Sequence, residues 1–183
     1  VKFMQAYLFM PTDMPTIGTR DDAANDSFLF DQGPTKGLGN IRFHDYKAAF
    51  AAYDLPNVNL FAEQIERFKA MLATETPTPE QTKDTDWLLA VGEIFALIVY
   101  SELVLENAGT YDIPDDVIDE YFDVAIRDFS RYAVELHGKP TTTPAQAEHC
   151  RGMIRTPIHD ADRFNRVWTD HVHALKDVYH MNP

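Results

Sequence analysis

Glu93 is the carboxylate in this sequence best placed for proton chemistry. It interrupts an apolar helical face, and a desolvated carboxyl group can be held neutral as a general acid. The competing reading is a hydrogen-bonded glutamate at the boundary of a core, the ordinary fate of helical carboxylates. Glu93, Glu102 and Glu106 together invite a di-iron site, but that chemistry needs Glu-x-x-His pairs on two helices so that both ligands face one metal. No such pair occurs in the chain. His171 and His173 are two residues apart on an expected helix and so diverge by about 200°. His159 with Asp160 and Asp162 could bind a metal or respond to pH, although an Asp at this point reads better as a helix cap. Cys150 beside His149 has the composition of a thiol–base pair, yet sequence neighbours on a helix point about 100° apart. A buried or merely free thiol is the simpler reading.

The segment Gly33-Pro34-Thr35-Lys36-Gly37-Leu38-Gly39-Asn40 has the glycine content of a phosphate loop. It lacks the P-loop spacing and the Lys-Ser/Thr pair, no strand precedes it, and it is read as a turn. Arg42, His44 and Asp45 follow it and suit either a ligand contact or an arm that ends in a helix cap at Asp45, with the cap preferred. Asp115, Asp116, Asp119, Glu120 and Asp123 lack the alternating oxygen ligands of an EF-hand and are expected to be a solvated face. Phe122, Phe129, Tyr132, Trp168 and Tyr179 could line an acyl or aromatic pocket, but aromatic residues at helical spacing are most often core. The sequence therefore assigns no catalytic residue and no metal ligand, and it identifies no cofactor-binding residue.

The elements that would position these residues are helical. Residues 1–56 carry Pro11, Pro15, Gly18, Gly33, Pro34, Gly37, Gly39 and Pro56 without sustained periodicity, which predicts an irregular arm with helical turns near 2–9 and 45–53. From residue 57, Leu60, Phe61, Ile65, Phe68 and Leu72 recur at helical spacing and predict a helix to about 74. Pro77 and Pro79 break it. A second helix is expected from Asp84 or Thr85 to about Asn107, stopped by Gly109 and apolar on more than one face, so its expected place is the centre of a bundle. Pro114 opens a third, ending at Gly138. Thr143-Pro144 opens a short helix to about Met153, and Asp160 or Ala161 opens a last one carrying Phe164, Val167, Trp168, Val172 and Leu175. The expected fold is all-α: a helical bundle of about four main helices at 57–183 behind the N-terminal arm, one domain overall.

Composition narrows the function classes. At 183 residues the chain suits one sizeable core. A formal charge of −13 argues against nucleic-acid or anionic-membrane partners, which demand clustered Lys and Arg. Cys150 is the single cysteine and excludes an internal disulfide, so the expected compartment is the reducing cytoplasm. The apolar run at 87–100 contains Glu93 and falls short of the ~20 residues of a membrane span, which predicts a buried helix rather than an anchor. The chain starts at Val1 without a targeting segment and is expected to be a piece of a longer protein.

Three segments carry a family likeness: Phe28-Leu-Phe-Asp-Gln-Gly-Pro-Thr-Lys-Gly-Leu-Gly-Asn-Ile-Arg-Phe-His-Asp45, Leu88-Leu-Ala-Val-Gly-Glu-Ile-Phe95 and Arg127-Asp-Phe-Ser-Arg-Tyr-Ala-Val-Glu-Leu-His-Gly-Lys139. With Asp162-Arg-Phe-Asn-Arg-Val-Trp168, they resemble the C-terminal helical extension of actinobacterial acyl-CoA dehydrogenases, over about residues 25–183. The resemblance implies a parent flavoenzyme of fatty-acid oxidation that binds FAD and oxidises an acyl-CoA between its α and β carbons. Neither the flavin-binding nor the glutamate-base motif of that family is matched here. Glu93 does not inherit the catalytic role, and no cofactor is expected in this chain. The implied role is an accessory domain, inactive alone, that packs on the catalytic body or another subunit, with homodimerisation through an exposed apolar face also open. The alternative is a free-standing helical module that binds an acyl or aromatic ligand in a cavity lined by Phe95, Phe122, Phe129 and Trp168.

Overall fold

The computed structural model describes residues 2–13 and 42–178, and all of its regular structure is helical. The chain divides into two compact units, Val1–Ala49 and Phe50–Pro183. In the first, α1 (Lys2–Phe9) buries Tyr7, whose ring stacks on Tyr46 at 5.2 Å and meets Phe43 edge-on at 5.4 Å. The Thr12 amide and hydroxyl both donate to the Phe43 carbonyl, at 2.8 and 3.0 Å. Asp45 accepts from the Lys47 amide at 3.1 Å and opens α2 (Lys47–Ala51), as an Asp cap should. The glycine segment 33–40 lies outside the described residues.

The second unit is a bundle of α3 (Pro56–Thr74), α4 (Thr85–Thr110), α5 (Asp115–His137), α6 (Pro144–Met153) and α7 (Ala161–Val167). Its centre is α5, which packs against α3, α4, α6 and α7. The core is an aromatic chain between α3 and α5. Phe61 meets Phe122 at 5.2 Å and Phe129 at 5.5 Å, both edge-on, while Phe50 stacks on Phe61 at 6.0 Å and Phe68 closes on Phe129 at 6.5 Å. Phe61, Phe68, Phe122 and Phe129 are all fully buried, each contributing about 1.5–3 kcal/mol of burial. Phe122 and Phe129 thus fill the core. Phe95 and Tyr132 are half-buried and Trp168 is exposed, so the four residues expected around a cavity do not share one environment.

The helix starts are made as the sequence indicates. Asp84 accepts from the Asp86 and Trp87 amides, and Thr143 forms a reciprocal capping box with Gln146. Three expectations change. First, α4 is not central: Trp87, Ala90, Val91, Ile94, Ile98 and Leu105 are buried, but Leu89, Tyr100 and Leu103 face outward. Its 26 residues also make it long and apolar enough to cross a membrane by length and composition, which the shorter run read from the sequence was not.

Second, Gly109 does not end α4, which continues to Thr110. The Tyr53 hydroxyl donates to the Leu105 carbonyl at 3.1 Å, and a Cβ on residue 109 would sit 3.2 Å from that oxygen. Glycine there gives the tyrosine room. Third, the last helix is short. After Val167 it passes into a π turn at Trp168–Val172 and a 3-10 turn at His173–Leu175, and Phe164, Trp168, Val172 and Leu175 are exposed instead of forming core.

Candidate functional site

The polar residues that the fold gathers are chiefly ones the sequence did not single out. Helix α3 begins after Leu55, which has no side-chain oxygen to cap it, so the first-turn amide of Asn57 needs an acceptor from elsewhere. Asp119 of α5 supplies it at 2.8 Å and also accepts from Asn57 Nδ2 at 3.2 Å. The Asn57 side chain pairs with the backbone of Ile158, donating to its carbonyl at 3.1 Å and accepting from its amide at 2.8 Å. From α7, Arg163 donates through Nη1 to Asp119, through Nε to Glu120 at 2.8 Å and through Nη2 to the Ile158 carbonyl at 3.2 Å. One turn on, Arg166 makes a two-pronged contact with Asp116 at 2.6 and 2.9 Å.

This geometry corrects the reading of the acidic run on α5 as a solvated face. Asp119 and Asp123 are buried, Asp123 is paired with Arg127, and Asp116, Asp119 and Glu120 together form the seat of α7. Carboxylates and guanidinium groups here satisfy each other and the backbone. What the arrangement does chemically is hold α3, α5 and α7 in register.

Two amide clusters act likewise. Gln64 Nε2 lies within hydrogen-bond reach of the Ile126 and Met153 carbonyls and of Ser130 Oγ, joining α3, α5 and α6. Among the described residues its buried Oε1 meets no donor. Gln81 and Gln146 exchange both amide hydrogen bonds, at 2.6 and 3.1 Å, and Gln81 also donates to the Thr141 carbonyl.

The residues selected from sequence meet different surroundings. Glu93 is exposed on the outer face of α4, so it lacks the desolvation that a general acid needs. Glu102 is buried and Glu106 half-buried, one turn apart on another face of the helix. His159, His171 and His173 are exposed, and Arg42 is exposed with His44 half-buried. Asp160 accepts from the Asp162 and Arg163 amides at 2.9 and 3.1 Å, the helix cap that the sequence favoured. His149 Nε2 lies 3.2 Å from Thr74 Oγ1. The Cys150 sulfur is fully buried, and desolvation pushes its pKa up to about 11, leaving it a packed thiol at neutral pH.

The pairing predicts a pH response. The side-chain hydrogen bond from Arg166 holds Asp116 below its ordinary value of 3.8, and the Arg163 amide does the same for Asp160. Both carboxyls are depressed on folding, so their contribution is complete above pH 3.8 and is lost as pH falls through the lower folded values. Protection factors of the Arg163–Val167 amides, corrected for intrinsic exchange, should therefore fall as pH drops below 3.8 while those of α5 hold. An equal fall in both helices would contradict it.

Comparison of the chain with protein-family models, with curated proteins and with solved structures found no match in any of the three.

Proposed function

We propose that this chain is an accessory helical domain of an acyl-CoA dehydrogenase-like cytoplasmic flavoenzyme, with an assembly role and without a complete active site of its own. The observation that carries the assembly role is the exposure of Phe164, Trp168, Val172 and Leu175 in the C-terminal segment, with Ile154 and Ile158 before it also exposed. Arg163 and Arg166 fasten this segment to α5 with its apolar residues turned outward. Exposed large apolar residues gathered in one short segment suit a surface that a larger assembly covers. The flavoenzyme parent rests on the resemblance of the four quoted segments, and the flavin chemistry belongs to that parent's catalytic body.

Two measurements test the reading. The purified chain mixed with FAD and desalted should show only Trp and Tyr absorption, and it should not reduce a dye acceptor when given an acyl-CoA. A retained flavin band near ~450 nm would overturn the accessory role. In acrylamide quenching, buried Trp87 and half-exposed Trp168 should separate into a protected and an accessible class. Addition of the catalytic body of the parent flavoenzyme should protect Trp168, and unchanged quenching at saturating partner would count against this surface.

A further inference from the structure

Helix α6 packs on α3 and α5 and buries Gln146, Cys150 and Met153. A histidine stands at each seam. Towards α5, His137 Nε2 lies 3.1 Å from Arg151 Nη1 of α6. Towards α3, His149 Nε2 of α6 lies 3.2 Å from Thr74 Oγ1. The partners fix where each ring carries its proton. A guanidinium nitrogen donates and never accepts, so His137 Nε2 must offer its lone pair, and the ring is neutral with its proton on Nδ1. The Thr74 hydroxyl has one proton and donates it to the Ala70 carbonyl at 2.9 Å, so its oxygen accepts and His149 Nε2 is the donor. The two seams therefore need opposite tautomers.

We infer that the His137–Arg151 contact is a proton-released clip between α5 and α6, while the His149–Thr74 contact holds in both charge states. Proton uptake by His137 fills the lone pair that Arg151 uses and sets an imidazolium against a guanidinium. Proton uptake by His149 occurs at Nδ1 and leaves its Nε2–H donor in place. From α6, Arg151 and Glu148 face His137, and these two are paired with each other, so Arg151 keeps a partner when the histidine lets go. On the α4 side Asp86 is taken by Lys139, which also binds Glu135 of α5. From α3, Thr74 meets α6 through His149 and the Arg67 stem lies against Gly152, while α7 is seated far along α5 on Asp116, Asp119 and Glu120. His137 lies in the last turn of α5, where the helix carbonyls favour a cation, so acid charges the ring at the expense of the Arg151 bond. The clip is closed above the range in which an imidazole ordinarily takes up its proton, about pH 5–8, and open below it. That window lies above pH 3.8, where the α7 seat responds.

Proton–nitrogen correlation spectra of the histidine rings in the full chain test the tautomers directly. At about pH 8 they should show the Nδ1–H form at His137 and the Nε2–H form at His149. Between about pH 8 and about pH 5, protection factors of the amides at 148–153, corrected for intrinsic exchange, should fall relative to those of α4. The Arg151 side chain is 53% exposed, so the fall should be about 2–5-fold, the scale of one exposed charged contact. His137→Gln supplies an amide oxygen that accepts from Arg151 at every pH and should abolish the fall, whereas His149→Gln should leave it. An Nε2–H tautomer at His137 would overturn the proposal without recourse to any variant. So would constant protection across that interval, or a rise in acid as Glu148 turns to the imidazolium. A fall that survives His137→Gln or vanishes in His149→Gln would overturn it equally.

Discussion

Asp119→Ala is expected to destabilise the bundle by about 3–5 kcal/mol, the usual result of removing one partner from a buried ion pair. The Asp119 and Arg163 side chains are only 3% and 6% exposed, so solvent cannot replace what is lost. The substitution leaves the Arg163 guanidinium with Glu120 as its one ion-pair partner and the Asn57 amide without its acceptor. That loss is a large share of the 5–15 kcal/mol typical of a folded domain. Urea denaturation followed by circular dichroism measures it directly. The double variant Asp119→Leu with Arg163→Met should recover much of the loss, since well-packed apolar residues can replace a buried pair at little cost. A loss below about 1 kcal/mol for the single variant would mean that water enters the junction.

Phe122→Ala should cost about 3–5 kcal/mol, the range for deleting a buried aromatic ring. Phe122 is fully buried, and its ring meets Phe61, Tyr121 and Phe50 at 5.2, 5.1 and 6.1 Å, so no one neighbour can move in to fill the space. Phe122→Leu keeps most of the volume and should cost less than half as much. A similar cost for both variants in thermal melts would point to lost edge-to-face ring contacts rather than to the cavity.

The frame of the bundle was legible because its boundaries are written in local chemistry. Pro114 and Gly138 bracket α5, Asp84 and Thr143 cap their helices, and the prolines after Thr74 end α3. The seat of α7 was not legible. Asp119 and Arg163 are 44 residues apart, and on α5 alone an acidic row looks the same whether it faces water or guanidinium groups. Asn57 and Gln64 gave a fainter signal, as polar residues on the otherwise apolar side of α3. Apolar content suggested α4 as the centre, but α5 occupies it, because packing depends on which faces find neighbours. Glu93 was chosen for its apolar setting in sequence, while Glu102, nine residues on, is the glutamate that burial selects.

The fastening of α7 bears on how the molecule comes apart. Arg163 is the buried residue of α7, while Phe164 and Trp168 remain wetted, so this segment draws little from apolar burial and much from charge. Of its ion pairs, Arg166–Asp116 is open to solvent and screened by salt, whereas Arg163–Asp119 is buried and screened much less. Ionic strength therefore acts on the outer fastening of α7 before the inner one. The C-terminal segment is therefore expected to loosen first at its Arg166 end, with the buried Arg163 contact holding longer.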